Sequence, residues 1–171
     1  MTAVPVSPDA TAAVPVGEFR DLMSAFPSGV AVVTALDAEG APHGLTCTSL
    51  SSVAVDPPTL LVCLNLRSGT LDAVRARCGF AVNLLHSDGK RAAEVFSSAT
   101  PDRFSQVRWE RSRQVGAPLL VEDAFATAEC VVGDVLVVAD HAIVIGRVVD
   151  IVQRTDDPLL YGFRRFSSWK L

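Results

Sequence analysis

Short apolar runs rich in Val, Ala, Ile and Leu, each bounded by turn residues, recur along the chain without regularly spaced helices between them. That pattern confines the chain to a mostly β fold. Val30 to Leu36 is apolar at every position but Thr34, so it reads as a strand buried on both faces. Asp37-Ala38-Glu39-Gly40 turns the chain, which returns from His43 to Ser52 as the second arm of a hairpin. Thr59 to Leu64 and Phe80 to Leu85 read as further strands. Phe125 to Val132 and His141 to Val152 are the longest β-like runs, with Gly133-Asp134 and Ala139-Asp140 as interruptions at turns. Pro158 to Phe166 reads as a last strand.

Three helices are expected among these strands. Glu18 to Phe26 places Phe19, Leu22, Met23 and Phe26 on one face. Gly69 to about Arg77 is capped by Ser68 and turns Leu71 and Val74 inward; Lys90 to Ser97 buries Ala93 and Phe96. Thr100-Pro101-Asp102 opens a turn with proline at a helix start. Strands and helices do not alternate as a doubly wound sheet requires, and an antiparallel barrel is favoured.

A chain of 171 residues makes one domain. Residues 1–16, rich in Pro, Ala, Val and Thr, read as a flexible tail or as an arm onto a partner subunit, leaving 17–171 as the folded unit. A hydrophobic share of 49% suits a chain that covers part of its surface by dimerising. The net charge of −4 and the lack of a basic stripe argue against nucleic acid. No apolar run reaches membrane-spanning length and no signal peptide is recognisable, so a cytoplasmic protein without membrane attachment is expected. Cys47, Cys63, Cys78 and Cys130 form no CxxC pair and read as free thiols, three of them among apolar neighbours.

Familiar chemical signatures are missing. There is no GxGxxG, GxxxxGK[ST], HExxH or GxSxG, and His43, His86 and His141 are dispersed. Composition and periodicity alone stop at a mostly β domain.

Four segments carry more. They are Phe26-Pro27-Ser28-Gly29-Val30 to Thr34; Pro42-His43-Gly44-Leu45-Thr46-Cys47-Thr48-Ser49-Leu50 to Val53, followed by Asp56-Pro57-Pro58; Leu64-Asn65-Leu66-Arg67-Ser68-Gly69-Thr70; and Asp140-His141 to Val148, with Pro158 to Arg164 beyond. In this order and spacing the chain, from about residue 18 onward, resembles the short-chain flavin reductases of two-component flavin-dependent monooxygenases. The resemblance implies a split β-barrel with a Greek-key path, working as a homodimer. It also implies FMN or FAD in a groove near the subunit interface, NADH or NADPH as hydride donor, and a monooxygenase that receives reduced flavin.

The residues suit that role physically. Small side chains from His43 to Ser52 let backbone approach a flat ring, and the hydroxyls there add donors. By resemblance His43, Gly44, Leu45, Thr46, Thr48 and Ser49 line the flavin, flanked by Cys63, Leu64 and Asn65. Ser68, Gly69 and Thr70 open a helix whose amides and dipole suit a phosphate, although simple capping explains Ser68 equally well. Phe96 packs its helix and, by resemblance, also abuts the flavin. His141 is placed by the same resemblance on the nicotinamide side as the catalytic candidate, with Tyr161, Phe163 and Arg164 holding NAD(P)H. No arginine cluster presents itself to a 2′-phosphate, which favours NADH, and no metal site is expected. A flavin-binding module without turnover, and an oxidase resembling the pyridoxamine-phosphate oxidases, are the alternative readings.

Overall fold

The computed structural model describes residues 13–169. Residues 1–12 of the expected tail lie outside that range; Ala13 to Pro15 lead into helix α1, Val16–Ser24.

Seven antiparallel strands form the main sheet. In chain order they are β2 (Ala31–Leu36), β3 (Pro42–Cys47), β4 (Leu50–Ala54), β5 (Thr59–Asn65), β6 (Gly79–Leu85), β9 (Ala124–Val138) and β10 (His141–Gln153). Their spatial order is β3-β2-β6-β9-β10-β5-β4. The two edge strands, β3 and β4, are consecutive in the chain and only Thr48 and Ser49 separate them. A link that short brings the two edges of the sheet to one corner. A small sheet of β1 (Ser28–Gly29), β11 (Leu159–Gly162) and β12 (Arg165–Ser168), and a pair formed by β7 (Trp109–Arg111) and β8 (Pro118–Leu120), complete the β structure. Helices α2 (Gly69–Arg77) and α3 (Lys90–Ser97) pack on it.

Strand β2 is buried along its whole length because both faces of the sheet are covered. Ala31, Val33 and Ala35 join Leu64, Leu71, Val74 and Phe80 in one apolar cluster. Val32 joins Val30, Leu85, Ala93, Phe96 and Leu120 in the other. Polar ties join outer pieces to the sheet. Buried Asn83 donates to the Val32 carbonyl at 3.0 Å and accepts from the Leu120 amide at 2.8 Å. The Glu129 carboxylate accepts the amides of Arg113, Gln114 and Val115. Burial pushes that carboxyl up, but its hydrogen bonds more than offset this and hold it below the usual range.

Several expectations are corrected. His43 to Ser52 is not one strand: it crosses from the β2 side of the sheet to the β5 side at Thr48-Ser49. Gly133-Asp134 is not a turn but a bulge inside β9, where the register skips Gly133 between Asp134↔Ile145 and Val132↔Gly146. Pro158 to Phe166 is a hairpin, with Phe163 and Arg164 at positive φ in its turn. The turn after Thr100 does not start a helix at Pro101; a single 3-10 turn covers Arg103–Gln106. Cys47 and Cys130 are buried and Cys63 partly so, whereas Cys78 is exposed. The helix ends at Ser24, two residues before Phe26, and the apolar stripe is bare, with Phe19, Leu22, Met23 and Phe26 about half exposed or more.

Candidate functional site

The segment from His43 to Ser51 lines two clefts, one on each side of the corner where the sheet edges meet. The first has a volume of about 700 Å³. One wall is the start of α2, where the Ser68 hydroxyl accepts the Thr70 amide at 3.2 Å and so caps the helix as expected. His43 leans over this helix start: a Cβ on Gly69 would lie 3.1 Å from its Nδ1, so only glycine leaves that approach open. Its Nε2 meets Asp37 Oδ2 at 2.9 Å. The hydrogen bond from His43, aided by the Ala41 amide, holds the Asp37 carboxyl below the usual carboxylate range.

The opposite wall was not foreseen. It is built by Thr100, Asp102, Arg103, Phe104 and Ser105, while Arg67 stands beside Ser68 on the α2 side. Arg103 donates to the Gly44 carbonyl at 2.9 Å and to the Thr100 carbonyl at 3.2 Å, which fixes its guanidinium on the cleft. The floor is Gly44. A Cβ there would come within 2.9 Å of the Phe96 ring and 3.2 Å of Phe104. Phe96 itself is fully buried, stacked edge-on against Phe104 beneath that floor.

The second cleft, of about 650 Å³, lies between α1, the β4–β5 edge and β11. Thr48, Ser49, Cys63, Tyr161 and Arg164 line it. Ser49 donates to the Cys63 carbonyl at 3.2 Å, and Tyr161 leans on Phe166 with ring centres 5.2 Å apart. Arg164 is paired with Asp21 of α1 at 2.5 Å. Phe163 is exposed in the hairpin turn and ties its amide to the Ser24 carbonyl.

The structure therefore divides the expected site residues. His43, Gly44, Ser68, Gly69 and Thr70 gather at the first cleft, and Thr48, Ser49, Cys63, Tyr161 and Arg164 at the second. Leu45 is partly buried against the core, Leu64 is fully buried, and Thr46 spends its hydroxyl on the Ala93 carbonyl at 2.6 Å. Asn65 stands opposite His141 in the β5–β10 pairing, at the strand ends that lead into the Arg67 to Thr70 loop. Its side-chain oxygen accepts the Arg67 amide, which leaves its NH2 group as the outward donor. The Nδ1 of His141 bonds Asp140 at 2.8 Å, leaving Nε2 outward on a half-exposed ring. That bond holds the Asp140 carboxyl below the usual range.

No group of His, Cys, Asp and Glu able to hold a metal occurs among the described residues. Nor is any described helix long and apolar enough to cross a membrane.

The Flavin reductase like domain model matches residues 23–170. A "Flavin reductase (NADPH)" of Lentzea aerocolonigenes is 61% identical over 152 residues, 89% of each chain. The reductase component of a 4-nitrophenol 4-monooxygenase/4-nitrocatechol 2-monooxygenase of Rhodococcus opacus is 38% identical, over 89% of this chain and 80% of that one. Among solved structures, the NADH:FAD oxidoreductase of Streptomyces globisporus C-1027, in complex with NAD and FAD fragments, superposes with a TM-score of 0.85. It is 29% identical and 98% of each chain is covered.

Proposed function

The chain belongs to the flavin reductase family, and we propose that it uses NAD(P)H to reduce FAD or FMN and hands the reduced flavin to a partner monooxygenase. The observation that carries this reading is the single segment His43 to Ser51 lining both clefts, because the reaction needs two ligands side by side. The bound nicotinamide and flavin supply the chemistry, a hydride passing between their rings.

The chain's own part is to hold and orient. The first cleft suits the flavin's phosphate end: it offers the α2 start, Arg103, Arg67 and His43, with a glycine at each close approach. Thr48, Ser49, Cys63 and Asn65 offer small side chains and hydrogen-bonding groups toward the ring. Tyr161, Phe163 and Arg164 hold the donor. The outward Nε2 of His141, with its ring steadied by Asp140, meets the nicotinamide carboxamide.

Residues 17–171 form the catalytic domain, and the curled sheet is a split barrel whose opening is the β3–β4 corner. The working form is a homodimer in the cytoplasm. Bare apolar side chains support the dimer: those of α1, Val53 and Val55 near β4, and Leu136 to Val138 at the β9–β10 hairpin tip. The direct test is purified chain with NADPH or NADH and excess FAD or FMN. Flavin-dependent loss of donor absorbance is expected. Tight flavin binding without turnover would return the reading to a binding module.

A further inference from the structure

The second cleft brings together two arginines that lie far apart in the sequence. Arg20 comes from α1 and Arg164 from the β11–β12 turn, and the other lining residues include no carboxylate. Two contacts fix α1 against that turn: the Asp21–Arg164 ion pair and the Phe163 amide on the Ser24 carbonyl. The Asp21 contact occupies one edge of the Arg164 guanidinium and leaves its other donors for a ligand. Arg20, one residue before Asp21, has no hydrogen bond or ion pair among the described residues. An unpaired guanidinium and a partly paired one lining the same cleft, with no carboxylate among the other lining residues, suit a doubly charged phosphate monoester.

We propose that Arg20, together with Arg164, recognises the 2′-phosphate of NADPH and makes NADPH the preferred donor. This rests on the reading of the second cleft as the donor site. It replaces the preference for NADH drawn from the sequence, where no arginine cluster is visible because the two members are brought together only by folding.

The test uses Arg20→Gln and Arg20→Lys in the full chain. The site lies on a helix with no buried residue, so both variants fold, and melting curves check this. Steady-state rates are measured with NADPH and NADH at saturating flavin. Calorimetric titrations compare adenosine 2′,5′-bisphosphate with ADP. In wild type, NADPH has the lower KM, and that KM rises with added salt. Arg20→Gln raises the NADPH KM about tenfold relative to the change for NADH. It weakens the bisphosphate by a similar factor relative to ADP, and Arg20→Lys restores part of both. Equal effects on the two donors, or a wild type that favours NADH, would overturn the assignment while leaving the reductase intact. Failure to oxidise either donor would instead overturn the reductase reading.

Discussion

The two clefts share a segment of chain but are built to different standards of rigidity. The first stands on well-packed parts of the molecule. Thr70 and Leu71 at the α2 start are buried, Phe96 lies beneath the Gly44 floor, and Arg103 is held by two backbone carbonyls. The second has α1 for a wall, a helix with no buried residue that is tied down by an exposed ion pair and one amide bond. A wall held by so few contacts must be ordered at a cost in conformational entropy when a ligand binds, whereas a packed wall has met that cost on folding. A cleft with packed walls suits the ligand whose ring must be placed in register. A yielding cleft suits a donor that enters and leaves at every turnover.

The most damaging way to challenge this contrast is at the Gly44 floor. Gly44→Val should destabilise the fold by about 3 kcal/mol, because the buried Phe96 ring has nowhere to move. Flavin affinity should fall with it. A wild-type melting curve would mean that the first cleft yields as readily as the second. His141→Ala probes the proposed junction of the two ligands. Hydride transfer, followed by stopped-flow flavin reduction, should slow about 10- to 100-fold while flavin Kd stays within twofold. Loss of flavin affinity with an intact reduction step would move His141 to the other ligand. Arg103→Ala tests the unforeseen wall: FAD Kd should rise about tenfold and Arg103→Lys should recover part of it, with the NADPH KM unmoved.

Much of the molecule was legible from periodicity and capping. The doubly buried β2, the Ser68-capped α2 and the inward Ala93 and Phe96 of α3 follow from side-chain pattern alone, because burial imposes that pattern. Arg103 was not legible. Its place on the first cleft depends on a bond to Gly44, 59 positions earlier, and no local signal encodes that. β7 and β8, of three residues each, are too short to show a period. The Gly133 bulge looked like a turn because glycine and aspartate mark both. The apolar stripe of α1 was read correctly as a stripe, but a sequence does not say whether a stripe meets its own core, a ligand or a second chain.

Asp37 offers the finest test, since it touches the first cleft only through His43. Its carboxylate meets His43 Nε2 at 2.9 Å and accepts the Ala41 amide at 2.7 Å, so it both orients the ring and steadies the turn before β3. The hydrogen bond from His43 lowers the Asp37 pKa below its ordinary 3.8. A lowered carboxylate pKa contributes above the unfolded value and is lost as pH falls through the folded one. At neutral pH the contribution is therefore fully present, and it disappears only in acid below 3.8. Asp37→Asn keeps the shape but removes the charge that Nε2 of His43 meets. Because the pair is only partly buried, the effect is small: the FMN Kd should rise about threefold at neutral pH, with the NADPH KM unchanged. FMN titrations of both proteins across the pH range check this. If His43 is only a packing element of the α2 start, the two curves coincide at every pH. If it is held by Asp37 to meet the flavin's phosphate, they separate at neutral pH and converge as Asp37 takes up its proton.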